Sequence, residues 1–304
     1  MIARVRALLL PLALASVGGV SATAAQEDVG TGSGQPLNAA LAACDRARFR
    51  VALDVGHTVE QPGALSARGM PEFVFNLLLA ERIERALRAA GFDRTRLLVT
   101  DGAAKPSLFM RVSHATDIEA DLFLSIHHDA VPQPLKETWE YEGRQLEYSD
   151  RFRGHSIFVS YDHAQARASL AFARLLGLAM KARGLAYTPH YTEPFMGPRR
   201  RQLVDAEAGV YRFDALVVLR RTRMPAVLLE GGMIVHREEE LALAAPERQE
   251  LVSAAVVEAV ERYCATEASE LSALRRARPA ARTRPVVRLP AILGSGIPVL
   301  PGRD

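Results

Sequence analysis

Apolar and polar positions recur along this chain in two rhythms, one of strands and one of helices. The run "FRVALDV" (49–55) is aliphatic and β-branched and predicts a buried strand. A helix is predicted over 71–90. Leu77, Ala80, Ile83 and Leu87 form one apolar stripe, Pro71 suits a first turn, and Gly91 suits the stop. "RLLVT" (96–100) predicts a short strand, "SLFMRVSHATDIEA" (107–120) a helix and "DLFLSI" (121–126) a strand. Further on, "SIFVS" (156–160) predicts a strand and 165–183 a helix ended by Gly184. "ALVVL" (215–219) and "PAVLLE" (225–230) predict strands, with Pro225 at a position a strand tolerates. Residues 237–263 are largely helical, with a break at Pro246. Strands alternating with helices predict an α/β layered domain.

Two kinds of segment depart from these rhythms. Residues 131–153, "VPQPLKETWEYEGRQLEYSDRFR", are polar and aromatic without a clear period, and read as an insertion over one face. The ends differ from the body. Residues 1–24 have Arg4 and Arg6, an apolar run and Ala22-Thr23-Ala24, the layout of a cleaved signal peptide. Residues 25–43 begin rich in Gly, Ser and Gln and read as a linker, leaving 44–265 as one folded domain. Residues 266–304, rich in Arg, Pro and Ala, read as a disordered basic tail.

Composition and charge narrow the class. With 49% hydrophobic and 24% charged residues among 304, the chain can build one large core. The net charge of +3 is uneven: seven arginines lie in the tail and two in the leader, which leaves the body acidic. No basic stripe interleaved with aromatics is present there, so a nucleic-acid partner is not expected. After removal of the leader no stretch is long enough for stable membrane insertion. Export to the periplasm is expected, with secretion as the second choice. The two cysteines, Cys44 and Cys264, flank the body; in an oxidising compartment they form one disulfide or stay as two free thiols.

Candidate chemistry sits where predicted strands end. "VALDVGH" ends on His57, "FLSIHH" on His127 and His128, and "PAVLLE" on Glu230, while Glu72 opens the helix after the first strand. In open α/β sheets the ligand crevice lies at the carboxyl ends of strands. Two neutral imidazoles and a carboxylate are a zinc set with one position left for water, and a second, unbound carboxylate then serves as general base. His57, Glu72, His127 and Glu230 can supply these four roles. Asp54 and Asp129 either orient imidazoles or are solvated turn acids.

Four blocks in order resemble the zinc-dependent N-acetylmuramoyl-L-alanine amidases of the amidase_3 type, across about residues 48–262. They are "LDVGHT", "PEFVFNLLLAERIERALRAAG", "SLFMRVSHATDIEADLFLSIHHDA" and "VLRRTRMPAVLLEGGMIVHREEE". The resemblance implies an α/β fold with a mixed, mostly parallel sheet of about six strands and helices on both faces, phosphorylase/hydrolase-like. It implies one Zn2+ per chain held by His57, Glu72 and His127, with Glu230 as the catalytic carboxylate. The implied substrate is peptidoglycan, cut at the amide between N-acetylmuramic acid and L-alanine, for wall remodelling or cell separation. His128 is then expected beside the ligands or facing the groove. "DVGHT" lacks the family's usual Pro before Gly-His, and "EGGMIVHREEE" has Met-Ile where an aromatic and an Asn-containing turn are common. Related amidases are held off by a blocking segment and released by an activator protein. One expectation for 131–153 is therefore that Glu137, Glu140, Glu142 or Glu147 occupies the open metal position; the other is a plain surface loop. His190 and Arg199–Arg201 lie in a stretch that either borders the substrate groove or is merely structural and solvated. Alternative readings are another zinc amidohydrolase or carboxypeptidase, or an inactive envelope-binding module.

Overall fold

A computed structural model of the protein describes residues 44–277. The expected signal peptide and linker (1–43) and the end of the tail (278–304) lie outside the described residues. Seven strands form the main sheet in the order β2-β1-β3-β9-β6-β8-β7. They are β1 (Val51–Val55), β2 (Arg96–Leu98), β3 (Leu122–Asp129), β6 (Ser156–Val159), β7 (Gln202–Asp205), β8 (Val210–Arg212) and β9 (Ala226–Met233). β2, β1, β3 and β9 run parallel; β6 joins β9 antiparallel, and β7 joins β8 antiparallel. The sheet is thus mixed and mostly parallel, with seven strands rather than about six.

Both faces are covered, which is why the central strands read as unbroken apolar runs. On one face Val51, Leu53, Leu122, Leu124, Val227 and Leu229 pack against three helices: α1 (Glu72–Ala89), α3 (Ala166–Ala182) and α6 (Pro246–Ala277). Ala52, Phe123, Phe158 and Leu228 point the other way, toward α2 (Ala104–Asp117) and α4 (Val217–Arg221). α5 (Arg237–Ala244) is short and follows β9. Among the described residues no helix is long and apolar enough to cross a membrane.

Two expectations are corrected, and one segment left without elements is filled in. The run 215–219 is not a strand: Val217–Arg221 is a helical turn burying Val218 and Leu219, and a five-residue apolar run carries no period to separate the two. The 131–153 insertion is ordered, with a hairpin of β4 (Glu137–Tyr141) and β5 (Arg144–Tyr148). The tail does not begin at 266, because α6 continues through Ala277.

Cys44 and Cys264 are bonded, with Cα atoms 5.3 Å apart and a sequence separation of 220. Closing so long a loop stabilises mainly by restricting the unfolded chain, by up to about 5 kcal/mol. The double variant Cys44→Ser/Cys264→Ser is expected to unfold at lower urea concentration than the oxidised wild type. Reductant should shift the wild-type transition toward the variant's and leave the variant's own unchanged.

His155 is 1% exposed, and neither ring nitrogen has a hydrogen-bond partner. Burial, and secondarily the Arg248 charge, pushes its pKa down to about 4. The folded state therefore refuses a proton that the unfolded chain accepts near its ordinary value of about 6.5. Stability contributed by the neutral ring is complete above that value and is lost as pH falls toward 4. His155→Leu is expected to lose roughly 3 kcal/mol less than wild type between pH 7 and pH 4, read from urea unfolding at each pH.

Candidate metal centre and active site

From β1 the chain leads to β2 on one side, while β3 pairs on the other. The carboxyl ends of β1 and β3 therefore flank a topological switch point, where α/β sheets place ligands. His57 follows β1, and His127 lies near the end of β3. The chain turns sharply at His57, whose φ is 70°, a left-handed conformation that costs a non-glycine residue about 1 kcal/mol. Gly56 and Gly63 allow the close approach that follows. A Cβ on Gly56 would lie 2.4 Å from the His127 ring, and one on Gly63 2.4 Å from Glu72 Oε2.

Glu72 is the first residue of α1 and lies at the floor of this crevice. Its amide donates to Ala64 O at 2.8 Å, and the Ala64 amide donates to Glu72 Oε2 at 3.1 Å. His57 Nε2 lies 3.0 Å from Oε2, and His127 Nδ1 lies 3.0 Å from Oε1. The two rings meet edge to face, with centroids 4.9 Å apart. Burial alone would raise the Glu72 pKa, but hydrogen bonds and charge from His127 and His57 hold it well below the carboxylate range. Asn76, one helical turn on, donates to Glu72 Oε1 and to Gly56 O, both at 3.2 Å.

One donor atom from each of His57, Glu72 and His127 lies within 4.8 Å of the others, a group that can hold a metal ion. Tetrahedral zinc with bonds near 2.0 Å sets neighbouring donors roughly 3.3 Å apart. The two imidazole–carboxylate separations of 3.0 Å, one to each Glu72 oxygen, are close to that, and this set of donors fits zinc. The imidazoles remain partly open, at 32% and 16% side-chain exposure, over a carboxylate at 6%. His128 is not groove-facing. It is buried, its Nδ1 lies 2.8 Å from Asn76 Oδ1, and it packs on Phe75. The strand parity that separates it from His127 is the cause.

Glu230 lies on β9 in register with His127, so neighbouring strands bring the two together. The residue is partly exposed, yet its Oε2 is buried and has no partner. Burial, then the charges of Asp129 and Glu72, push its pKa well above the usual carboxylate range. Beside it, sequence reading names Asp129 and His190 but misses Tyr191 and the contacts among the three. Tyr191 Oη donates to Asp129 Oδ1 at 2.9 Å, and His190 Nε2 lies 3.8 Å from Asp129 Oδ2. Burial pushes Asp129 up to about 7 against the lowering bonds from Tyr191 and the Ala130 amide, and burial pushes His190 down to about 4. His190 is thus a buried residue, not a groove-lining one. No hydrophobic period links 129 to 190, so the sequence held no signal for this contact.

Asp54 is neither solvated nor bonded to an imidazole. It is fully buried, accepts from Ser125 Oγ at 2.7 Å and pairs with Arg111 at 3.4 Å. None of the insertion's glutamates belongs to the metal-competent group. Glu147 accepts from Gln133 and Lys136, and Glu137 from Tyr148. The hairpin instead clamps the loop ahead of Glu72. Trp139 Nε1 donates to Ala67 O at 2.9 Å, and the Arg68 guanidinium lies over Trp139 and Tyr141. The same arginine pairs with Glu240 of α5 at 2.9 Å.

The chain matches the family described as Amidase_3, N-acetylmuramoyl-L-alanine amidase, over residues 51–262. It belongs to the Amidase_3 family. Among curated Amidase_3-like relatives, N-acetylmuramoyl-L-alanine amidase AmiA of Escherichia coli (strain K12) is 25% identical over 224 residues, covering 70% of this chain and 75% of that protein. The solved catalytic domain of CwlV from Bacillus (Paenibacillus) polymyxa var. colistinus superposes with a TM-score of 0.51 at 24% identity, covering 71% of this chain and 97% of that one. Ami1 from Mycobacterium smegmatis gives 0.54 at 18% identity, covering 72% and 98%. These two likenesses establish the shared fold. As an Amidase_3 member, the chain is an N-acetylmuramoyl-L-alanine amidase.

Proposed function

We propose that the protein hydrolyses the amide between N-acetylmuramic acid and L-alanine in peptidoglycan, with His57, Glu72 and His127 holding one zinc ion and Glu230 as general base. The observation that carries this reading is the convergence of two imidazoles and a carboxylate beside a second, unpartnered carboxylate oxygen in register with His127. Zinc supplies Lewis acidity, drawing electron density from a carbonyl and making water a better nucleophile at neutral pH. The protein's own groups do the rest. Glu72, though buried, is oriented and favoured as the anion by the Ala64 backbone amide and the Asn76 side-chain amide, which donate to it. Glu230, as its carboxylate, takes a proton from the attacking water and delivers it to the departing L-alanine amine.

The reading extends to place and control. The disulfide supports an oxidising compartment, and periplasmic residence in wall remodelling or cell separation fits it. Control by an activator protein stays part of the proposal; a glutamate from 131–153 in the open metal position does not. The test is product identification: purified peptidoglycan treated with zinc-loaded enzyme is expected to release stem peptides that begin with a free L-alanine amine, seen by mass spectrometry. Fragments cut within the peptide would instead favour a carboxypeptidase.

A further inference from the structure

We propose that Arg111 is a positioning residue for the metal centre: its guanidinium fixes the backbone of His57 in the left-handed conformation that aims the imidazole at Glu72 and His127. The inference rests on the reading of His57 as a metal ligand.

The geometry is that of one fork with three prongs. Arg111 lies on α2 and is 1% exposed, among the largest fully buried side chains described. Its Nη2 donates to the carbonyl of His57. Its Nε donates to Thr100 Oγ1 at 3.1 Å, and its Nη1 to Asp54 Oδ2 at 3.4 Å. Asp54 is itself fixed by Ser125 Oγ. Asp54 belongs to β1 and Ser125 to β3, the strands that lead to His57 and His127. The planar, always-charged guanidinium is thereby registered against both ligand-bearing strands before it reaches His57.

His57 needs such a partner. Among the described residues only three non-glycine positions have positive φ, and His57 is the one in the metal-competent group. Directly after it, Thr58 is held by its own bonds, Thr58 Oγ1 to Gly102 O at 2.8 Å and Thr58 N to Gln61 O at 3.2 Å. The His57 carbonyl is held by Arg111, so the strained residue is fastened on its carboxyl side twice. A buried Arg–Asp pair is by itself weak evidence of a stabilising role, since apolar residues of similar volume often serve as well. What an apolar residue cannot do is donate to the carbonyl of His57, and a ligand must be held within about 0.5 Å of its productive place.

The test compares wild type with Arg111→Lys, which keeps a cation beside Asp54 but loses the fork, and with Thr100→Val, which removes one prong's anchor. His57→Ala serves as the reference for a lost ligand. The measurements are the zinc dissociation constant by chelator competition, urea unfolding of the metal-free protein, and the hydrolysis rate as free zinc is raised. Arg111→Lys is expected to bind zinc roughly 10- to 100-fold more weakly, with the rate recovering as zinc is added. Thr100→Val should lose roughly threefold, the scale of one weakened hydrogen bond. A folded Arg111→Lys that binds zinc within twofold of wild type would overturn the proposal, as would a rate that added zinc fails to restore. If Arg111→Lys does not fold, Thr100→Val decides, and an unchanged dissociation constant there overturns it. Wild type that takes up no zinc, with His57→Ala indistinguishable from it, sinks the metal reading and this inference together.

Discussion

Glu230→Gln is expected to cut the rate of amide hydrolysis roughly 100- to 10,000-fold, the scale of a lost general base. Zinc content should stay at the wild-type level, because Glu230 is outside the group of donors that converge. A second, opposite effect should accompany the loss. Burial and the charges of Asp129 and Glu72 raise the Glu230 pKa, so the folded state favours the neutral acid more than the unfolded chain does. Stability from this group is complete below its unfolded pKa and declines as pH rises through the folded one. Glutamine removes that decline. The metal-free variant is therefore expected to melt at a higher temperature than metal-free wild type at neutral pH, the trade between stability and activity common at active sites. Calorimetry beside a peptidoglycan assay checks both halves. A lower melting point together with lost activity would mean that Glu230 serves the fold instead.

The second large effect is expected from Glu72→Gln. The amide keeps the carboxylate's shape but not its charge, and it replaces one acceptor oxygen with a donor. Glu72 is the residue on which both imidazoles converge, at 3.0 Å each. Removing an outer hydrogen-bond partner of a ligand costs roughly 10- to 100-fold in metal affinity, so losing the only anionic donor should cost more. The variant is expected to come through dialysis without metal and to show the residual rate of chelator-treated wild type. Elemental analysis and the same peptidoglycan assay read this directly. Metal retained at one equivalent would show that Glu72 is not a ligand.

The sequence showed most clearly what lies deepest. β1, β3 and β9 are legible as apolar runs because both of their faces are covered, and the ionisable groups beside them stand out for that reason. β7 and β8 are four and three residues long, too short to show a period. The hairpin did carry a signal. Trp139 and Tyr141 alternate on one strand, Leu146 and Tyr148 on the other, and Glu142-Gly143 make the turn with φ of 50° and 73°. A two-residue turn with both φ positive usually takes Asn-Gly or Asp-Gly, and a glutamate at its first position hides it.

For the site, His57, Glu72, His127 and Glu230 could be nominated from residue type and predicted strand ends. Their partners could not. Arg111 bonds to the backbone of His57, Asn76 joins His128 to Glu72, and Tyr191 bonds to Asp129. Apart from Asn76–Glu72, one helical turn apart, each is a contact between elements distant along the chain, and no local pattern of hydrophobicity encodes which polar side chains a fold will bring together.

The Cys44–Cys264 bond also keeps the covalent link of the fold away from the metal-competent group. It joins the start and the end of the folded body through one pair of sulfurs. Cys44 precedes β1, whereas His57 follows the strand's other end, about 17 Å further along a five-residue strand.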